Sequence, residues 1–266
     1  MVNGKEIDSP IGVLDSGVGG LTVVQSLKEL LPEEDLLYFG DSVNCPYGNR
    51  TKENILELMN RILDYMEERQ VKAIAVACNT LSTLYNEYAP ARHTKIFSIV
   101  QAAADAVAKR GLKEVGLVCT EFTANSGLYE QLIHEKLPKT KVYTASNHNL
   151  ASTLDQGRFD LVPDNVHRNM QRLFALGHPK YVILGCTHYP IVRDQFEKEA
   201  PDLIFLDPAH SQAENIRDWL AENGLLRHGG KGRLEVATSG DPRFYGEMCE
   251  RLGIGEPDIL EQVALG

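Results

Sequence analysis

Short apolar runs alternate with longer amphipathic segments along the chain. The runs at 11–14, 73–77 and 181–184 have the length and composition of buried β-strands. In the segment 51–70, apolar side chains recur at i, i+3, i+4, i+7, i+8 and i+11, which predicts a helix packed on one face. Further strands are predicted at 36–39, 96–100, 114–118, 141–143, 203–206 and 233–237, and further helices at 21–31, 102–110, 165–176 and 209–222. This alternation predicts an α/β fold with parallel sheets.

The order of these elements is repeated once. One strand ends at Asp15 and a later one leads to Cys78, 63 residues further on, while Cys119 and Cys186 hold the corresponding places 67 residues apart. The repetition predicts two α/β halves, each with a loop at the C-terminal end of a strand, where doubly wound sheets bind their ligands. The elements after residue 207 are expected to return to the first sheet. The expected domains are therefore 1–98 plus 208–266, and 99–207.

Composition restricts the classes of partner. The 266 residues are 43% hydrophobic and 24% charged, as is usual for a folded globular protein, and the formal charge of −10 argues against nucleic acid. No apolar run reaches the roughly 18–20 residues of a membrane span, and the first residues do not read as a signal peptide. Five dispersed cysteines do not make a disulfide framework. We therefore expect a reducing cytoplasm, with neither nucleic acid nor membrane as a partner.

Two strand ends carry a thiol followed by polar side chains. Cys78 precedes Asn79 and Thr80, and Cys186 precedes Thr187 and His188. The thiolate is the reactive form of cysteine, and a helix N-terminus or a neighbouring cation lowers the thiol pKa. Two such thiols from related halves suggest a base and an acid on opposite faces of one carbon, which is the chemistry of stereoinversion.

Each thiol then needs a helper. The candidate in the first half is Asp15, which begins a glycine-rich turn that is either a plain strand-to-helix connection or an anion site. The candidate in the second half is His188. The turn is neither a dinucleotide fingerprint nor a P-loop, and no second Cys or His pair accompanies Cys186 as zinc would require, so neither cofactor nor metal is expected. The remaining cysteines are interpreted as small buried hydrophobes: Cys45, Cys119 and Cys249.

Six short motifs stand out across nearly the whole chain. They are Asp15-Ser16-Gly17-Val18-Gly19-Gly20-Leu21, Gly40-Asp41, Pro46-Tyr47-Gly48, Ala77-Cys78-Asn79-Thr80, Gly185-Cys186-Thr187-His188-Tyr189-Pro190 and Thr238-Ser239-Gly240-Asp241. In this order they resemble the glutamate racemases of the cofactor-independent aspartate/glutamate racemase superfamily. The resemblance implies two flavodoxin-like α/β domains related by pseudo-twofold symmetry, with the active site in the cleft between them. It further implies an isomerase that racemises glutamate in a bacterial cytoplasm and supplies D-glutamate for peptidoglycan synthesis, and thus for cell-wall biogenesis and cell shape.

The resemblance also implies roles for individual residues. Cys78 would deprotonate D-glutamate and Cys186 L-glutamate, each thiol reprotonating the opposite face. Asp15 would assist Cys78, and His188 would assist Cys186. The substrate would be held by Asp15, Ser16, Tyr47, Gly48, Asn79, Thr80, Thr187 and His188, with Asp41, Thr120 and Thr123 supporting the site. Family members are often dimers with differing arrangements, so the resemblance allows a homodimer but does not fix the oligomeric state.

The chain departs from the family pattern at two positions. Gln101 stands where the family has a glutamate taken as an acid–base helper, and Leu81 replaces a smaller residue after Thr80. These departures keep an aspartate racemase open as the nearest alternative. Outside catalysis, the alternative is a two-lobed module that binds an acidic amino acid without turning it over. A thiol redox protein is a third alternative, against which the absence of closely spaced cysteines counts.

Overall fold

The computed structural model describes residues 6–47 and 50–265, and these form two β-sheets flanked by helices. The first sheet contains β1 (Ile11–Asp15), β2 (Leu36–Gly40), β3 (Ala73–Val76), β4 (Lys95–Ser98), β9 (Leu234–Thr238) and β10 (Ile259–Gln262). The second contains β5 (Glu114–Cys119), β6 (Lys141–Ser146), β7 (Tyr181–Gly185) and β8 (Ile204–Leu206). The strand orders are β10-β9-β2-β1-β3-β4 and β6-β5-β7-β8.

The helices connect the strands in both halves. Those before β5 are α1 (Leu21–Leu30), α2 (Lys52–Glu68), α3 (Asn79–Ser82), α4 (Tyr85–Tyr88) and α5 (Ile99–Lys109). Those from β5 to β8 are α6 (Glu121–Ser126), α7 (Leu128–Lys136), α8 (Leu150–Asp155), α9 (Val162–Leu176) and α10 (Arg193–Glu199). After β8 come α11 (Pro208–Glu222) and α12 (Pro242–Arg251). In the part of the chain that is described, none of these helices has both the length and the apolar character of a membrane span.

The two sheets share a strand order. In the first sheet β1 lies between β2 and β3, with β4 beyond β3. In the second sheet β5 lies between β6 and β7, with β8 beyond β7, and the strands of both sheets pair in parallel. β9 and β10 extend the first sheet beside β2. The predicted α/β fold with two parallel sheets is confirmed, and the shared order relates the two halves.

The hydrophobic pattern accounts for most elements. β1, β2 and β3 are buried along their whole length, as continuous apolar runs in parallel sheets are. The predicted stripe of α2 is buried, and the helix begins after Thr51, whose side chain accepts a hydrogen bond from the N–H of Asn54. The stripe consists of Ile55, Leu58, Met59, Ile62, Leu63 and Met66.

Four details differ from the sequence interpretation. The strand expected at 96–100 ends at Ser98, because Ser98 Oγ caps the N–H of Gln101 and starts α5. α9 begins at Val162 rather than 165, with a proline in its first turn. The exposed edge strand β10 was not predicted. Nor was α8, where only a polar segment was expected, because a helix of six residues is too short to display a hydrophobic period.

One hydrophobic cluster joins the two halves. It includes Val13 of the first sheet and Leu117 and Ile183 of the second, together with side chains of α1, α5 and α11. α5 and α11 each connect one sheet to the other along the chain, and they pack against each other. The helices of the two connections therefore fix how the sheets face one another.

Candidate active site

The polar ends of three strands contribute to one buried cluster. β1 ends at Asp15, Cys78 follows β3 after one residue, and Cys186 directly follows β7. Adjacent parallel strands bring Asp15 and Cys78 to the same edge of the first sheet. Gly19, in the turn after β1, lies against the second half, since a Cβ added to it would be 2.8 Å from His188 Nδ1. The structure thus brings together predicted site residues from both halves.

Asp15 and Ser16 lie beside the thiol of Cys78. Ser16 Oγ is 3.4 Å from Cys78 Sγ and donates to Asp15 Oδ1 at 3.3 Å. Asp15 Oδ1 also accepts from the backbone N–H of Gly17 at 3.0 Å. Burial raises the pKa of Asp15 to about 6, an effect that the nearby charge of His188 opposes. This carboxyl group therefore titrates close to neutral pH, which suits a general acid or base.

The thiol of Cys78 is held in its protonated form. Burial of the side chain and the charge of Asp15 raise its pKa to about 12, although hydrogen bonds from Ser16 and the backbone of Leu81 act in the opposite direction. We expected the start of the following helix to lower this pKa. That expectation is wrong for Cys78, because α3 has only four residues and the thiol is 5% exposed.

Cys186 lies beside a histidine–aspartate pair. His188 Nδ1 is 3.6 Å from Cys186 Sγ, and His188 Nε2 donates to Asp155 Oδ1 at 2.7 Å. The side chain of His188 is 3% exposed and that of Asp155 17%. Cys186 therefore faces an imidazole whose orientation is fixed by a third group, an arrangement shared with activated nucleophiles and bases.

The pair with Asp155 keeps His188 charged. Burial alone lowers the pKa of His188, but the charge and hydrogen bond of Asp155, together with Cys186, raise it well above its ordinary value. Burial raises the pKa of Asp155, but His188 and hydrogen bonds from Cys45 and the backbone of Val18 bring it below its ordinary value. A protonated imidazole that faces Cys186 Sγ can donate to the sulfur and stabilise negative charge on it.

Asp155 is the site residue that the sequence interpretation missed. It lies in α8, in a segment read as merely polar, and 33 residues separate it from His188. We expected Gln101 to mark the position of a missing carboxylate helper. The carboxylate that contacts His188 belongs instead to Asp155, while the backbone of Gln101 lies in the first turn of α5. Asp155 does not follow a strand and belongs to none of the six motifs. Its place in the site can therefore be recognised only from its contacts in the folded protein.

Asp41 organises the loop that follows β2. Its carboxylate accepts hydrogen bonds from Ser239 Oγ at 2.6 Å, from Asn44 Nδ2 at 3.0 Å and from the hydroxyl of Tyr47. Tyr47, predicted to bind substrate, is 1% exposed. Asp41 thus ties the loop to the end of β9 and positions Tyr47 and Cys45.

The remaining predicted residues divide into two groups. Asn79, Thr80 and Thr187 are 3%, 5% and 4% exposed and lie with the cysteines, and Asn79 Oδ1 accepts from the hydroxyl of Tyr129. Thr120 and Thr123 bind each other, Oγ1 to Oγ1 at 3.0 Å, where Thr120 caps α6. Gly48 lies outside the described residues.

Two buried polar atoms of the cluster are unpaired. Among the described residues, neither Asp15 Oδ2 nor Asn79 Nδ2 has a hydrogen-bond partner. Buried polar groups are nearly always hydrogen-bonded, so an unpaired acceptor and an unpaired donor at the ends of two neighbouring strands indicate a binding function.

The other cysteines and Leu81 have different surroundings. Cys119 and Cys249 belong to the main hydrophobic cluster, as small hydrophobes do. The interpretation of Cys45 as a core residue is wrong, because Cys45 is only partly buried and its Sγ donates to Asp155 Oδ2 at 2.9 Å. Leu81 is fully buried in the cluster that packs α2 against the first sheet.

Comparison with known proteins gives a consistent result. The family model described as Asp/Glu/Hydantoin racemase matches residues 11–216. Glutamate racemase of Thermus thermophilus is 36% identical over 253 residues, which cover 94% of each chain. Glutamate racemase isoform RacE1 of Bacillus anthracis superposes with a TM-score of 0.89 at 28% identity, covering 97% of this chain and 98% of that one. The crystal structure of Francisella tularensis glutamate racemase in complex with D-glutamate has a TM-score of 0.88 at 30% identity, with 97% and 98% covered.

Proposed function

Because this chain belongs to the Asp/Glu/hydantoin racemase family, we propose that it interconverts L-glutamate and D-glutamate without a cofactor. The relatives named above are glutamate racemases, which favours glutamate over aspartate as the substrate. The D-glutamate would serve peptidoglycan synthesis in the cytoplasm.

The proposal rests on one observation: the surroundings of Cys78 keep its thiol protonated, whereas those of Cys186 place a protonated histidine beside its sulfur. The pKa of Cys78 is raised to about 12, so this thiol holds a proton at neutral pH. Cys186 Sγ faces the ring of His188, which Asp155 keeps protonated. Inversion at a carbon acid requires one group ready to take a proton and another ready to give one, and the two environments match these roles.

The proposed reaction with L-glutamate has two proton transfers. The thiolate of Cys186 removes the α-proton, and the electron pair of the C–H bond remains on the α-carbon as a carbanion. The thiol of Cys78 then delivers its proton to the opposite face, which gives D-glutamate and leaves Cys78 as the thiolate. In the reverse direction Cys78 removes the proton, with Asp15 as its helper, and Cys186 returns one, with His188 as its helper.

The unpaired buried atoms suggest how the substrate is held. Asp15 Oδ2 is an acceptor and suits the α-ammonium group, while Asn79 Nδ2 is a donor and suits a carboxylate. The hydroxyls of Ser16, Thr80 and Thr187 lie in the same buried cluster and supply further donors. We propose the same contact role for Tyr47 and Gly48.

Access to the site requires the two halves to separate. Asp15, Cys78, Cys186 and His188 are at most 6% exposed, so glutamate cannot reach them without an opening movement. We propose that the moving units are 1–98 plus 208–266 and 99–207. The assignment of all first-sheet strands to the former and all second-sheet strands to the latter supports this division.

The test is incubation of the purified, reduced protein with L-glutamate, and separately with L-aspartate, in D₂O without added cofactor. We expect loss of optical rotation together with replacement of the α-proton by deuterium for glutamate. The same result with aspartate alone would assign the other substrate. No exchange with either, in folded protein that still binds glutamate, would overturn the enzymatic proposal and leave an amino-acid binding module.

We also propose that the chain forms a homodimer. Sedimentation velocity over a range of protein concentrations tests it, and a single species with the mass of one chain would overturn it.

A further inference from the structure

Asp155 is bound on both of its oxygens by different halves of the chain. Oδ1 accepts from His188 Nε2, which belongs to the second half. Oδ2 accepts from Cys45 Sγ at 2.9 Å, and Cys45 lies in the loop that follows β2 of the first half. The carboxylate therefore connects a thiol at the edge of the site with the imidazole that faces Cys186.

We propose that Cys45 is a positioning residue for the Cys186 side of the site: its S–H holds the Asp155 carboxylate in the orientation that binds and charges His188. This inference rests on the proposed racemase function. It adds a third cysteine to the two thiols of that function, and this cysteine acts through Asp155 rather than on the substrate.

The state of the Cys45 thiol suits a donor. Burial and the charge of Asp155 raise the pKa of Cys45 far above its ordinary value, so the sulfur keeps its proton and can donate it in a hydrogen bond. The same effect makes Cys45 a poor nucleophile at neutral pH, since the thiolate is the reactive form. A hydrogen bond to an ionised carboxylate is also stronger than one between neutral groups.

The loop that carries Cys45 is fixed independently of Asp155. Asp41 holds it through Asn44 before Cys45 and Tyr47 after it, and Ser239 anchors Asp41 in turn. Ser42 Oγ, at the beginning of the loop, lies 2.6 Å from the hydroxyl of Tyr245. A donor on an anchored loop can restrict the carboxylate it binds, because its own position is already set.

The contact also lies at the boundary with solvent. A cleft of about 340 Å³ opens here, and residues of α8 form part of its wall. Its lining includes Ser42, Cys45, Asp155 and Tyr245. Without the thiol, Asp155 Oδ2 would face water in this cleft, and the carboxylate could rotate away from His188. Cys45 thus shields one oxygen of the Asp155 carboxylate, Oδ2, from the open cleft.

Kinetic isotope effects test the role in the reaction. The equilibrium constant of a racemase is one, so kcat/KM must change equally in both directions, and rates alone cannot locate the affected step. In Cys45→Ala we expect kcat/KM to fall about tenfold, the scale of one lost hydrogen bond to a charged group. If transfer at Cys186 is slowed, the α-deuterium isotope effect rises for L-glutamate and falls toward unity for D-glutamate.

Two further variants separate this role from loop packing. Cys45→Ser keeps a donor, and we expect its kcat/KM and both isotope effects to return most of the way to those of the wild type. Ser42→Ala removes the contact of the same loop with Tyr245 but leaves Cys45 in place. If Ser42→Ala changes the isotope effects in the same way as Cys45→Ala, or if Cys45→Ala leaves them unchanged, the proposal is wrong.

A second measurement does not depend on activity. NMR of the histidine ring protons, assigned with His188→Gln, reports how well the Nε2–H of His188 is protected from exchange with water. We expect exchange at least about tenfold faster in Cys45→Ala and near the wild-type rate in Cys45→Ser. Wild-type protein that does not racemise glutamate would refute the proposed function, while this exchange rate alone would still decide whether Cys45 positions Asp155 and His188. An unchanged rate in Cys45→Ala overturns the inference.

Discussion

Asp155 Oδ1 accepts a hydrogen bond from His188 Nε2 at 2.7 Å, and the other ring nitrogen of His188 lies 3.6 Å from Cys186 Sγ. The pKa of His188 is raised and that of Asp155 lowered, so the two form an ion pair at neutral pH. The charge that acts on Cys78 is instead the negative one of Asp15, which contributes to the raised pKa of the thiol, and Ser16 Oγ lies 3.4 Å from Cys78 Sγ. The two proposed bases thus work in electrostatically opposite environments.

Asp155→Asn tests the role of the charge in that pair. The amide oxygen can still accept from His188 Nε2, but without the negative charge the pKa of His188 should fall toward the value that burial favours. We expect kcat/KM to decrease by about 100-fold at neutral pH, at the lower end of general acid–base contributions. NMR titration of His188 measures the shift directly. Asp164→Asn, at an exposed position of α9, is the matched control, and equal activity of the two variants would contradict this role.

Single substitutions of the two cysteines should separate the faces of the substrate. Neither Cys78→Ala nor Cys186→Ala should racemise glutamate, because each lacks one of the two proton carriers. In D₂O, however, Cys186→Ala should still exchange the α-proton of D-glutamate through Cys78, and Cys78→Ala that of L-glutamate through Cys186. Chiral separation followed by mass spectrometry resolves the four combinations. Cys249→Ala, in the hydrophobic core, should racemise normally, and exchange of both enantiomers in one variant would argue against the two-base scheme.

The raised pKa of Asp15 should be visible in both stability and activity. Its pKa is about 6 in the folded protein against 3.8 ordinarily, so the folded state binds the proton more tightly and stability falls as pH rises between these values. A shift of this size corresponds to about 3 kcal/mol. We expect Asp15→Asn to gain up to that amount relative to the wild type between about pH 4 and pH 7, as measured by urea unfolding.

The same variant should lose most of its racemase activity. In the wild type, kcat/KM should decrease as pH falls through about 6, because Asp15 becomes protonated. Asp218→Asn, at an exposed position of α11, is the control for the loss of a carboxylate. A stability difference between Asp15→Asn and wild type that does not change with pH would show that Asp15 is not destabilised by burial.

Gly19→Ala should push the halves of the site apart. A Cβ at this position would collide with Thr187 Oγ1 and stand 2.8 and 2.9 Å from His188 Nδ1 and backbone nitrogen. The backbone on the opposite side cannot move without shifting His188, so we expect at least a tenfold lower kcat/KM in a protein that remains folded. Gly246→Ala is the control, since its Cβ would meet only Leu260 Cδ2 at 3.2 Å. Wild-type kinetics in Gly19→Ala would mean that the contact between the halves is not tight.

The sequence by itself determined the two sheets and the strand ends that carry Asp15, Cys78 and Cys186. Buried parallel strands are continuous apolar runs, and the polar residues that follow them necessarily lie at the carboxyl edge of the sheet. The buried face of α2 could also be predicted, because six apolar side chains recur with the period of a helix. The pattern of apolar and polar residues was therefore sufficient to predict a strand or helix wherever that element buries one face or its whole length.

Only the tertiary structure decided which groups surround each thiol. Asp155 comes from a six-residue helix and Cys45 from a loop. Asp155 binds His188 across 33 residues and Cys45 across 110, and contacts at such separations leave no periodic pattern in the sequence. The same holds for the pKa of Cys78, since the helix start predicted a decrease and burial produced an increase. Desolvation and charge pairing depend on every element packed around a side chain, and a pattern along the chain records only the neighbours in sequence.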